Sequence, residues 1–131
     1  MTADAIIETT IRMVRRRSLE QAAATDPCIG RSLWAMASRS LEHAEEHLLL
    51  LGRKTAIERV AAFLLEMDRR LSGTGTLPLP MCRRDIGDYL GLTLETVSRA
   101  LSLFHDQGIL EFSGARHIIL KNRALLRGME I

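Results

Sequence analysis

The chain has 131 residues, of which 47% are hydrophobic and 26% charged, with a formal net charge of +2 at pH 7. That size holds one or two compact units around a modest core and excludes two full-sized domains. The composition is that of a folded chain; the slight positive charge is compatible with nucleic acid, and an aromatic content of 4% argues against a stacking platform for single strands. Two cysteines far apart, Cys28 and Cys82, cannot alone build a four-thiolate metal or iron–sulfur site. The longest apolar run, Leu48–Leu51, is far short of the roughly 18 residues of a membrane span. With no signal-peptide pattern at the N-terminus, a cytoplasmic protein with reduced thiols and no membrane contact is expected.

Residues 1–20 are ambiguous. Ile7, Ile11 and Val14 have helical spacing, yet Ile11–Val14 followed by three arginines equally fits the end of a strand, and Ser18 suggests a local boundary. Asp26-Pro27 is clearer: Asp26 caps a helix and Pro27 occupies its first turn. From there to about Leu51 the residues Leu33, Ala37, Leu41, Ala44, Leu48 and Leu51 recur at heptad-like spacing. Either a long core helix or a dimer contact explains the stripe; small Ala37 and Ala44, which allow close approach, favour the dimer. His43 and His47 share a face of this helix and could bind a metal, but only Glu46 or Glu42 is near enough for a third ligand, so a packed or solvent-exposed pair is expected and no metal site. Gly52 ends the helix or forms a hinge.

A second helix follows, roughly Thr55 to Arg70, with Ile57, Val60, Ala61, Leu64, Leu65 and Met67 on its apolar face. After a Ser-Gly-Thr-Gly-Thr turn, Leu77-Pro78-Leu79-Pro80 is extended and fits an edge strand. From Cys82 to Leu110 the pattern is two helices joined by a tight glycine turn. Ile86, Tyr89 and Leu90 face inward on the first. Gly91 breaks it, Thr93 caps the second, and Val97, Leu101 and Phe104 face inward on that one. This geometry places the second helix in a DNA major groove.

The outward face then displays Glu95, Ser98, Arg99 and Ser102. Arg99 can donate two hydrogen bonds to guanine, and Glu95 can accept from cytosine. At i,i+4 they could equally be a surface ion pair. Thr96, Ser98 and Ser102 are candidate phosphate or base contacts, and Arg83 and Arg84 candidate phosphate contacts at the start of the preceding helix. Residues 109–112 and 117–120 form a two-stranded wing, with Arg116, Lys121 and Arg123 as possible backbone contacts. From Arg83 to Arg123 six cations face five carboxylates, a net +1, so non-specific attraction is modest and binding calls for two domains on one duplex.

The segment MCRRDIGDYLGLTLETVSRALSLFHDQGIL resembles the DNA-binding domain of the Crp-Fnr regulators, most closely their FixK branch. The resemblance runs back through LLLLGRKTAIERVAAFLLEMDRRL and the long helix, and forward through FSGARHIILKNR. It implies a mainly α fold with a small β wing: a long dimerisation helix followed by a winged helix-turn-helix. Residues 1–26 would be a sensor-domain remnant, 27–52 the dimerisation helix and hinge, and 53–131 the DNA-binding domain.

Glu95, Ser98 and Arg99 match the family's base-reading positions. Leu94 stands where cyclic-AMP-responsive members have arginine and could pack on a thymine methyl, and Thr93, Thr96, Ser102 and Arg116 join the backbone set. A palindrome of the type TTGAT, four bases, ATCAA is implied. So are a homodimer on double-stranded DNA and contact with RNA polymerase. No nucleotide effector, cofactor or metal is implied. An alternative function is a truncated partner that heterodimerises with a full-length relative without binding DNA productively. Cys82, at a helix start beside two arginines, suggests a redox-sensitive position, the alternative being a passive half-buried thiol. No enzyme motif is present: there is no phosphate loop, HExxH or nucleophile elbow, and Asp85 and Asp88 have no catalytic partner.

Overall fold

The structure is a computed structural model that describes residue 3, residues 5–71 and residues 73–129. The chain divides into two compact units, residues 1–49 and residues 50–131. In the first, the described residues before Arg16 form neither helix nor strand, and Ile6, Ile7, Ile11, Met13 and Val14 are exposed. Helix α1 spans Arg16–Thr25. It runs through Ser18, so the boundary expected there is absent. The following Leu-Glu-Gln-Ala-Ala-Ala consists of strong helix formers, and Arg16 pairs with Glu20 one turn on at 2.7 Å.

Asp26 separates α1 from α2. Its extended backbone ends the first helix, and its Oδ1 accepts the Cys28 N–H at 2.8 Å to cap the second. Helix α2 spans Pro27–Arg53, about 40 Å at 1.5 Å per residue. No described residue up to Leu49 is buried. Leu33 is half-buried, whereas Ala37, Leu41, Ala44 and Leu48 are exposed, and Trp34, not singled out in the sequence, extends the same stripe at 77% exposure. A helix that leaves a Trp-Ala-Leu-Ala-Leu row uncovered has an apolar face available for another surface.

Gly52 does not end α2; the helix continues to Arg53. The break comes at Lys54-Thr55, where a capping box starts α3 (Ala56–Leu71). The Glu58 N–H donates to Thr55 Oγ1 at 3.4 Å, and the Thr55 N–H donates to Glu58 Oε2 at 2.5 Å. The buried face of α3 is Val60, Ala61, Ala62, Phe63 and Leu64, while Ile57, expected inside, is exposed.

Strand β1 (Thr76–Pro78) pairs antiparallel with β3 (His117–Leu120), which pairs with β2 (Leu110–Phe112). The wing is therefore part of a three-stranded sheet ordered β1-β3-β2, not a two-stranded ribbon. Pro78 sits on the edge strand, where a missing N–H costs no ladder bond. Leu77 stands opposite Ile118, and both are buried. Helix α6 (Arg123–Gly128), capped by the Asn122 side chain, seats Leu126 in the core.

Two helices complete this unit, α4 (Arg83–Leu90) and α5 (Leu94–Asp106). Their inward residues Ile86, Leu90, Val97, Ala100, Leu101 and Phe104 join Phe63, Leu64 and Ile109 in one core. Gly91 turns the chain with φ 62°, and the Leu92 N–H bonds back to the Gly87 carbonyl at 2.8 Å. A Cβ on Gly87 would stand 2.6 Å from the Leu92 carbonyl oxygen, closer than atoms pack. Gly87→Ala is therefore expected to lower unfolding stability by about 1–3 kcal/mol in urea titration, by forcing α4 from the turn. Wild-type stability would show that the turn yields freely.

Candidate nucleic-acid interface

Helix α5 is held by its inner face, so its outer face is fixed by default. Thr93 caps it: Oγ1 accepts the Thr96 N–H at 3.2 Å and lies 2.9 Å from Thr96 Oγ1. Glu95 lies in the first turn, where the helix dipole favours a carboxylate. Glu95, Arg99 and Ser102 are exposed, Leu94 is 41% exposed, and Thr96 and Ser98 are half-buried. Neither Glu95 nor Arg99 makes an ion pair with another described residue. The surface pair that their spacing also allowed is not formed, so the carboxylate and guanidinium both stay open to an external partner.

Arg83 and Arg84 are exposed at the start of α4. Arg83 Nη1 donates to Ser98 Oγ at 3.3 Å, and its guanidinium lies 5.5 Å from the centre of the Phe112 ring. The other side of this contact network is His105, whose ring stacks on Phe112 with centroids 5.3 Å apart. Phe112 thus links the two helices to the wing. Sequence patterning placed it only as a strand residue, because the contact depends on how the sheet meets α5.

Two expected cations are engaged within the chain. Lys121 Nζ lies 2.8 Å from Glu111 Oε2 on the neighbouring strand. Arg123 reaches back to α3: its Nε is 2.9 Å from Asp68 Oδ2, and its Nη2 donates to Asp68 Oδ1 at 3.1 Å and to the Gly73 carbonyl at 2.5 Å. Asp68 is buried and also accepts the Gly75 N–H at 2.9 Å. Burying that carboxylate unpaired would be costly, so Arg123 serves the fold. Arg116 remains exposed at the wing tip.

Cys82 is half-buried at the N-cap of α4. Its backbone N–H donates to Asp85 Oδ2 at 3.1 Å. Hydrogen bonds from the Cys82 thiol, then from that N–H, hold the Asp85 carboxyl below the usual carboxylate range, helped by the charges of Arg116 and Arg84. His43 and His47 are half-buried on α2, and the described residues contain no cluster of three or more metal-ligating side chains. No helix among them is long and apolar enough to cross a membrane.

A carboxylate with a depressed folded value stabilises the fold above its unfolded value, and that contribution disappears as pH falls through the depressed one. In thermal melts at stepped pH, Asp85→Asn should therefore have a flatter acid limb than the wild-type chain below about pH 5. Identical limbs would mean that Asp85 adds nothing to the start of α4.

Two helices joined at an αL glycine, a capped second helix with a polar outer face and a following β wing define a winged helix-turn-helix of the DNA-binding class. Residues 58–129 match the model of the Crp-like helix-turn-helix domain, and the chain belongs to the Crp-Fnr family, on its FixK-like branch. It is 42% identical over 134 residues to the nitrogen fixation regulation protein FixK of Azorhizobium caulinodans, covering 98% of this chain and 54% of that protein. FixK of Rhizobium meliloti is also 42% identical, over 124 residues that make up 94% of this chain and 56% of the relative. The structure of FixK2 from Bradyrhizobium japonicum superposes with a TM-score of 0.85 at 66% identity, over 90% of this chain and 60% of that one. The chain thus spans about half the length of the curated relatives it matches.

Proposed function

We propose that this chain is a sequence-specific double-stranded DNA-binding transcription regulator that reads an Fnr/FixK-like palindrome as a homodimer. The observation that carries the proposal is the open Glu95 and Arg99 pair on the outer face of a helix whose inner face is locked into the core. On this reading Arg99 donates to a guanine and Glu95 accepts from a cytosine in each half-site. Ser98 and Leu94 complete the base contacts. Arg83, Arg84, Thr93, Thr96, Ser102 and Arg116 hold the phosphate backbone. Residues Leu33, Ala37, Leu41, Ala44, Leu48 and Leu51, with Trp34, pair two copies through α2. Contact with RNA polymerase belongs to the same proposal.

The division into a sensor remnant (1–26), a dimerisation helix with its hinge (27–52) and a DNA-binding domain (53–131) follows that scheme. A second function draws on a different observation. The uncovered apolar surface of residues 6–14 and of α2 would suit heterodimerisation with a full-length relative, which the chain would modulate without productive DNA binding.

A titration with the palindrome and a scrambled duplex at several salt concentrations, with mass measured in parallel, separates the two. Three arginines per copy, Arg83, Arg84 and Arg116, on two half-sites give a log–log salt slope of about −5. Arg99→Ala should lose about 10-fold affinity or more for the palindrome and keep its affinity for the scrambled duplex. Leu41→Glu should shift the mass to monomer. A folded dimer with no sequence preference would refute the DNA-reading function and favour the heterodimer.

A further inference from the structure

We propose that the cavity where α4, α5 and the wing meet binds a small carboxylate with a single apolar tail, and that its occupation opposes DNA binding. The ligand site stands on its own geometry; its effect on DNA rests on the DNA-reading function above.

The cavity lies wholly within the unit of residues 50–131 and has a volume of about 250 Å³. Its floor is Leu79, Ile86, Leu101 and Ile118, all buried. Water against such walls finds few hydrogen-bond partners, so an apolar chain displaces it favourably. Ala115, Arg83 and Arg116 also line the cavity and are exposed, which opens it to solvent on their side. The volume falls below the roughly 300–1,000 Å³ of sites for drug-sized molecules, so a short tail matches it better than a bulky ring system.

Charge selects the head group. Among the described residues, Arg83 and Arg116 are the only charged side chains that line the cavity, and no carboxylate does. Arg83 is engaged by neutral partners: its Nη1 donates to Ser98 Oγ at 3.3 Å, and its guanidinium lies 5.5 Å from the centre of the Phe112 ring. Arg116 forms no ion pair with another described residue. Its charge acts on the Asp85 carboxylate, which is itself held by the Cys82 N–H at 3.1 Å. Guanidinium groups beside apolar walls suit an anion, and a carboxylate accepts two parallel N–H bonds from an arginine. The same two arginines are proposed above to hold DNA phosphates. A carboxylate and a phosphate on one guanidinium exclude each other, so ligand and DNA weaken each other by the same factor.

The test titrates octanoate, octanol and octylamine into the full chain by calorimetry, with butanoate and hexanoate as shorter acids. Octanoate should bind one per chain and at least about 10-fold tighter than octanol or octylamine. Affinity should rise about fourfold with each added methylene. The double variant Arg83→Gln, Arg116→Gln should bind octanoate about 10-fold more weakly. Ala115→Leu narrows the mouth at an exposed position; it should lose octanoate binding and keep its affinity for the palindrome within about twofold. Saturating octanoate should weaken wild-type binding to the palindrome and to the scrambled duplex alike, by about 10-fold, because phosphate contacts carry no sequence information. Equal affinity for octanoate and octanol overturns the anion site, and affinity that does not rise with tail length overturns the apolar one. Octanoate binding that leaves DNA affinity unchanged overturns the competition. A wild-type chain that binds no duplex would refute the DNA-reading function, while the calorimetry would still decide the ligand site.

Discussion

The close approach of the Leu92 carbonyl to Gly87 governs what α5 can offer. With no side chain at Gly87, α4 lets the turn fold back until the Leu92 N–H bonds to the Gly87 carbonyl. That contact, with Gly91 in the left-handed region, fixes the direction in which α5 leaves the turn. The inward residues Val97, Leu101 and Phe104 then have only one way to meet the core, and Glu95, Arg99 and Ser102 are turned outward as a consequence. The outer face is thus specified by packing underneath it, which leaves Glu95 and Arg99 without an ion pair to another described residue.

The arginines of the second unit divide by the same logic. Arg123 neutralises buried Asp68, and Arg59 serves three carbonyls, so both are consumed by the fold. Lys121 is held by Glu111 through a diagonal contact across neighbouring strands. Arg84, Arg99 and Arg116 stay exposed, and Arg83 lies over Phe112.

Much of this was legible in the sequence, for identifiable reasons. The helical spacing of Ile86, Leu90, Val97, Leu101 and Phe104, punctuated by Gly91 and Thr93, defines both helices and their outer face. Asp26-Pro27 marks the start of α2 because both residues act locally. Helix α2 runs one residue past Gly52, because a glycine only weakly disfavours helix, and the reciprocal cap of Thr55 and Glu58 starts α3. The Asp68–Arg123 pair joins positions 55 apart, and no local pattern announces it. The third strand follows from the register of β1 on β3, and α6 has only 6 residues, too few for a periodic signal. Phe112 and Arg59 escaped notice because their partners lie on other elements.

The sequence preference proposed for this chain depends on Arg99 reading a base edge. Its most direct test replaces the guanine of each TTGAT half-site with 7-deazaguanine, which removes the N7 acceptor and leaves the base pair intact. Affinity is then measured for the wild-type chain and for Arg99→Ala. A loss of about 10-fold in the wild-type chain, absent in Arg99→Ala, is the predicted result, because the missing acceptor matters only to the side chain that uses it. An equal loss in both, or none in the wild-type chain, would contradict the assignment and place the source of any sequence preference elsewhere.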